Sequence, residues 1–279
     1  MNTSLFSKTP TVTVLDNRGL TVRDIAYHRH PDTPDVTNDR ITRHHYDVRG
    51  FLTQSADPRL HDARRANFTY IMDLAGSVLR SQGVDNGTTV VLNDIAGRPV
   101  IAVSNICTAD DGTEDKRQAV TRIWQYEDSS GPGRPLSLTE QTPDGVSHIT
   151  ERFVYSDNSD ADKARNLAGQ CVSRYDTAGL VQTDSLALTG VPLSVTRRLL
   201  KDADNPGVVA DWQGEKISAW NDRLDSETYT TLSTADATGA VLTSTDAKGN
   251  LQRVRFRHES RVVRRIISML TWTSRGATG

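Results

Sequence analysis

The 279-residue chain carries 33 basic and 35 acidic side chains, a net charge of -2, which excludes the overall electropositive footprint of a nucleic-acid binder. Hydrophobic residues make up 36% and aromatics 6%, too sparse for a dense enzyme core and, in their alternating placement, too regular for a disordered chain. Cys107 and Cys171 stand far apart with no Cys-x-x-Cys, so neither a disulfide framework nor a zinc site is expected.

Thr11–Leu15 and Leu20–Asp24 read as two strands joined by a turn at Asp16-Asn-Arg-Gly19. A loop rich in Pro and Asp, His30–Asp35, leads to a strand at Ile41–Tyr46, a turn at Asp47–Gly50 and a strand past Thr53. Pro58–Arg65 has the residues of a short helix, as do Asp160–Ala168, with Ser159 as cap and Gly169 as stop, and Gly214–Leu224. The same tetrad, Asp-x-x-Gly, returns at Asp73–Gly76, Asp94–Gly97, Asp176–Gly179, Asp204–Gly207, Asp236–Gly239 and Asp246–Gly249. Ten such tetrads occur where residue frequencies give about two, and seven place Val, Leu or Pro two residues after the glycine.

Asp in first position accepts hydrogen bonds from the backbone ahead of it, and Gly in fourth tolerates the left-handed conformation that closes a bulged hairpin. Each tetrad therefore predicts a reversal between two strands, and the array predicts stacked hairpins that gain stability from their neighbours. An internal echo supports duplication: Gly133-Arg-Pro-Leu-Ser-Leu-Thr-Glu140 repeats as Gly190-Val-Pro-Leu-Ser-Val-Thr-Arg197, with a looser copy at Gly97–Val103. Proline near the start of a strand is where a sheet accepts it.

Two tetrads are written Tyr-Asp, at Tyr46-Asp47-Val-Arg-Gly50 and Tyr175-Asp176-Thr-Ala-Gly179, and these resemble the YD repeat of Rhs proteins. The run Thr9–Arg29 is similar to the start of the C component of bacterial insecticidal toxin complexes, the TccC type. The likeness covers about residues 9 to 252. It implies an all-β fold of stacked hairpins with a few short helices, forming part of a curved shell that B and C components build around a toxic cargo. It further implies a B-component partner and, through it, a pore-forming A component, with the complex acting outside the bacterium. The family's self-cleaving aspartyl protease core and toxin lie further along its chain, and nothing here matches them, so the reading is a truncated shell segment. The alternative is a β-rich adhesin or carbohydrate-contacting module.

The resemblance departs at Val254, where Arg255-Phe-Arg-His-Glu-Ser-Arg-Val-Val-Arg-Arg replaces a further Tyr-Asp turn. From Arg253 onward there are seven arginines against one acid, Glu259. Residues 1–253 are therefore read as the shell segment and 254–279 as an atypical basic tail, either an out-of-frame end or a basic amphipathic helix. No window approaches about 18 apolar residues, and Met1–Lys8 lacks a charged stretch followed by an apolar run, so neither a membrane span nor a Sec signal peptide is expected.

Catalytic, cofactor-binding and metal residues are not expected. His28 and His30 would share a strand face while His44 and His45 point oppositely, the pattern of polar strand residues. Asp157-Asn-Ser-Asp160-Ala-Asp162 looks like a calcium loop but has Asp162 and Ala168 where Gly and Glu are required, and reads as a helix-start loop. Trp124, Trp212, Trp220 and Trp272 are too scattered for a base-stacking platform and read as packing residues. The residues singled out are structural turn formers: Asp16, Gly19, Tyr46, Asp47, Gly50, Asp73, Gly76, Asp94, Gly97, Tyr175, Asp176, Gly179, Asp236, Gly239, Asp246 and Gly249.

Overall fold

The computed structural model describes residues 3–109, 111–256 and 262–268. Contacts divide the chain into two units, Met1–Ile123 with Gln141–Val146, and Trp124–Glu140 with Ser147–Gly279. Both are all-β.

After a 3-10 turn at Thr3–Phe6, the first unit runs β1 (Val12–Leu15), β2 (Thr21–His28), β3 (Asn38–Tyr46), β4 (Leu52–Ala56), α1 (Pro58–Asp62), β5 (Phe68–Met72), β6 (Val78–Gly83), β7 (Gly87–Asn93), β8 (Pro99–Thr108) and β9 (Glu114–Asp115). Each strand from β1 to β9 pairs antiparallel with the next. The start of β10 (Val120–Tyr126) returns to β8, with Val120 opposite Ser104 and Ile123 opposite Ile101. Pairings slip between Val14 and Leu15, His45 and Tyr46, Ile71 and Met72, and Leu92 and Asn93, one or two residues before each tetrad aspartate. That is the bulge expected when a left-handed glycine closes the hairpin.

The second unit holds most of β11 (Pro135–Gln141), then β12 (Ser147–Tyr155), α2 (Asp160–Lys163), β13 (Cys171–Asp176), β14 (Gly179–Leu186), β15 (Pro192–Leu199), α3 (Ile217–Asn221), β16 (Tyr229–Ala235), β17 (Val241–Thr245), β18 (Leu251–Phe256) and β19 (Val262–Ser268). From β12 to β19 each strand again pairs with its successor. The ladder thus runs through Val254, and Val262–Ser268 is a strand rather than the helix considered from sequence. Residues 257–261 and 269–279 of that tail, Trp272 included, lie outside the described residues.

All three helices are shorter than their sequence signals. Asp57 caps α1 by accepting from the Leu60 amide at 2.9 Å, but Arg64 turns left-handed at φ +55° and ends it. Ser159 caps α2, and Asn166 at φ +57° stops it so that Leu167 tucks in at 2% exposure. Asp204–Gly207 corrects the expectation of a hairpin there: Gly207 is not left-handed, and the stretch belongs to a long insertion between β15 and β16.

Burial explains the sparse hydrophobic composition. Along β8 and β12 most residues are half-buried, without the strict alternation of a sheet that has one covered face. The chain exposes 19216 Å², where a compact monomer of its mass exposes about 12,000 Å². The one cluster of buried residues lies in the second unit, where Ala210, Trp212, Trp220 and Leu224 of the insertion pack on Tyr175, Leu180 and Leu200.

Candidate functional site: the stacked turns

Six tetrads share one geometry. At Asp16, Asp47, Asp73, Asp94, Asp236 and Asp246 the aspartate N–H donates to the carbonyl four residues on, and the glycine N–H donates back to the aspartate carbonyl, at 2.8 to 3.4 Å. Gly19, Gly50, Gly76, Gly97, Gly239 and Gly249 sit at φ between +77° and +90°. The carboxylate completes the loop: its Oδ1 accepts from the amides two and four residues ahead, at 2.8 to 3.0 Å. One aspartate therefore fixes a whole reversal through four hydrogen bonds.

Neighbouring turns are tied together in the first unit. Arg18 pairs with Asp16 and donates through Nη1 to the Asp47 carbonyl at 3.0 Å; Arg49 pairs with Asp47 and reaches the Asp73 carbonyl at 3.3 Å. The Phe51 ring lies where a Cβ on Gly76 would fall, 2.8 Å away, and the Arg49 guanidinium sits 4.7 Å from that ring's centre. Glycine is needed here for close approach as well as for backbone conformation.

Asp176–Gly179 is built differently from the same letters. Asp176 pairs directly with Gly179 across a two-residue loop, and Gly179 is at φ +138°. Arg197 of β15 grips the Asp176 carboxylate at 2.8 Å through both terminal nitrogens. Burial works against the ionised carboxylate, but the Arg197 hydrogen bonds and the Ala178 amide outweigh it and hold Asp176 below the usual carboxylate range. The two tyrosines diverge as well. Tyr46 donates to the Thr21 carbonyl at 2.9 Å, whereas Tyr175 is 1% exposed, donates to Asn221 Oδ1 at 3.0 Å and packs between Trp212 and Trp220.

Sequence reasoning missed turns that lack the leading aspartate. Thr142–Gly145 and Ala187–Gly190 close with the same pair of backbone bonds, their glycines at +86° and +81°. The glycine defines the turn, and the aspartate reinforces it. The signal was present in Gly190, two residues before the strand-opening Pro192.

A cross-strand constellation was invisible in the sequence. Ser55 Oγ lies 2.6 Å from His44 Nδ1, His44 Nε2 is 3.2 Å from Asp24 Oδ2, and Thr13 donates to Asp24 Oδ1 at 3.0 Å. In a serine hydrolase the serine meets Nε2 and the carboxylate meets Nδ1, the reverse of this arrangement. The β4 backbone around Ser55 is also committed to ladders with β3 and β5, which leaves no aimed pair of amides for an oxyanion. These residues form a polar rung across four strands. His45 points to the opposite face from His44, as the strand alternation requires, and His30 Nδ1 accepts from the Asp32 amide. Among the described residues no three His, Cys, Asp or Glu side chains converge to hold a metal, and Asp157 is occupied by the Ser159 amide.

The turn carboxylates give the fold an acid sensitivity. The amides of Leu20, Phe51 and Ser77 lead in lowering Asp16, Asp47 and Asp73, and the side chains of Arg98, Thr238 and Asn250 lead in lowering Asp94, Asp236 and Asp246. A group lowered on folding stabilises above its unfolded pKa, about 3.9 for Asp, and that stability is lost as pH falls through the folded value. The melting temperature is expected to hold from pH 7 to about 5 and to fall below about pH 4, with a shallower fall in Asp47→Asn. A midpoint that stays flat from pH 5 to 3 refutes this.

No protein-family model matches the chain. Toxin subunit YenC2 of Yersinia entomophaga is 58% identical over 256 residues, spanning 92% of this chain and 26% of that protein. Toxin subunit YenC1 of the same organism is 44% identical over 261 residues, 91% and 25% respectively. The chain thus spans about a quarter of the length of these relatives. The crystal structure of TcdB2-TccC3 superposes with a TM-score of 0.75 at 44% identity, over 97% of this chain and 12% of that one. The Photorhabdus luminescens Tc holotoxin pore gives 0.75 at 43%, over 98% and 12%. With this identity, the same all-β fold and the repeated Tyr-Asp turns, the chain belongs to the TccC-type C components of bacterial insecticidal toxin complexes.

Proposed function

We propose that this chain is a stretch of shell wall in a toxin-complex C component, and that it assembles with a B component to help enclose a toxic cargo. The observation that carries the reading is the uncovered sheet: a ladder tied by side chains along its turns, with half-buried strands and little core of its own. Such a layer separates two spaces, and its chemistry is hydrogen bonding between strands. The role is structural, with neither cofactor nor metal. The B component, and through it the pore-forming A component, are the proposed partners, with the complex acting extracellularly. TcdB2-TccC3 and the Tc holotoxin pore, both similar over nearly the whole chain, support that assembly.

Co-expression with a TcdB2-type B component followed by affinity capture tests it. The chain is expected to co-purify in a defined ratio and to be soluble mainly in that complex. A compact monomer that ignores the B component defeats the reading.

A further inference from the structure

Three tetrads of the first unit carry a large aliphatic residue at their second position, and all three are fully solvated: Val48 is 97% exposed, Leu74 93% and Ile95 108%. They top the β3–β4, β5–β6 and β7–β8 turns, which consecutive antiparallel pairing puts on one edge of the ladder, about 10 Å apart. Nothing in the turn asks for them. Asn17 fills the same position of the first tetrad, and small polar residues suit it better than branched aliphatics.

The rim is also rigid and electrically satisfied. Arg18 and Arg49 pin successive turns together. Asp47 and Asp94 pair with Arg49 and Arg98 of their own turns at 2.8 and 2.6 Å, and Asp73 is met by the amides of Ala75 and Ser77. What the edge offers outward is therefore a row of apolar knobs on a fixed pitch, without uncompensated charge, and its complement is an uncharged apolar strip. Three such side chains cover a few hundred Å², below the roughly 1,000 Å² a free-standing interface needs. A dimer of this chain in free solution does not fit; a contact made beside a larger interface does.

We propose that Val48, Leu74 and Ile95 form a docking edge that seats on an apolar strip of the B-component partner. This rests on the assembly reading above. The test uses the full chain co-expressed with the B component. Asn is native to the position, so Val48→Asn/Leu74→Asn/Ile95→Asn is expected to keep the circular dichroism spectrum and melting temperature while weakening capture at least tenfold. Leu74→p-benzoylphenylalanine, a single exposed change, is expected to cross-link to the B component on irradiation. Capture of the triple variant within twofold of the unmodified chain overturns the docking edge, as does a cross-link confined to a second copy of this chain. An unmodified chain that fails to bind the B component defeats the assembly reading itself, and the edge with it.

Discussion

Gly179→Ala is expected to lower stability by at least about 3 kcal/mol, well beyond the usual cost of one added methyl. The new Cβ would lie 2.2 Å from the Arg198 carbonyl oxygen and 2.9 Å from the Leu199 Cα. Both are backbone atoms of the adjacent strand, so no rotamer change relieves the clash. The φ of +138° adds strain that any L-residue meets there. Relief requires β14 and β15 to part where Gly179 pairs with Leu199, beside the Asp176–Arg197 ion pair.

Gly97→Ala is the matched control. Its glycine closes the same four-letter motif at φ +77°, but nothing lies within 4 Å of the added carbon. Only the left-handed penalty applies, about 1 kcal/mol. Urea titrations followed by circular dichroism separate the two cases. Equal midpoints for both variants would show that the cross-strand contact at Gly179 does not constrain the fold.

That contrast marks where the sequence stops being readable. In Asp47–Gly50 the partners of the aspartate are its own neighbours, Arg49 and Phe51, so the letters carry the geometry. In Asp176–Gly179 the geometry comes from Arg197 and Leu199 on another strand, and no window of four residues contains them. Asp204–Gly207 lacks flanking strands to close, and the same letters fall into an insertion. The Ser55–His44–Asp24 rung depends on the register of three strands, where a slip of one residue would scatter it. The apolar tips could be located from the tetrads, but their complete exposure follows from the hairpin projecting them past the ladder.

The insertion between β15 and β16 shows how a thin sheet gains a local core, and Trp212→Ala should remove it. Trp212 is 0% exposed, lies 5.1 Å from the Tyr175 ring and donates from Nε1 to the Asp176 carbonyl at 3.2 Å. Its backbone is held too: its amide donates to the Ile149 carbonyl at 2.9 Å, and Asp211 Oδ1 accepts from the Ile149 amide at the same distance. Arg152 closes the arrangement, donating to the Trp212 carbonyl at 3.2 Å while lying 5.0 Å over Trp220. Truncating the indole leaves a cavity and an unpaired carbonyl, at a cost of about 3–5 kcal/mol. Trp212→Phe refills much of the volume without the N–H donor and should cost distinctly less. Hydrogen exchange distinguishes a local from a general effect: amides of the 201–228 insertion and of β12–β15 are expected to lose protection, while the turns at Asp47 and Asp73, which share no contact with the cluster, keep theirs. Unchanged protection in the insertion would mean that the turn hydrogen bonds, rather than the indole, hold it against the sheet.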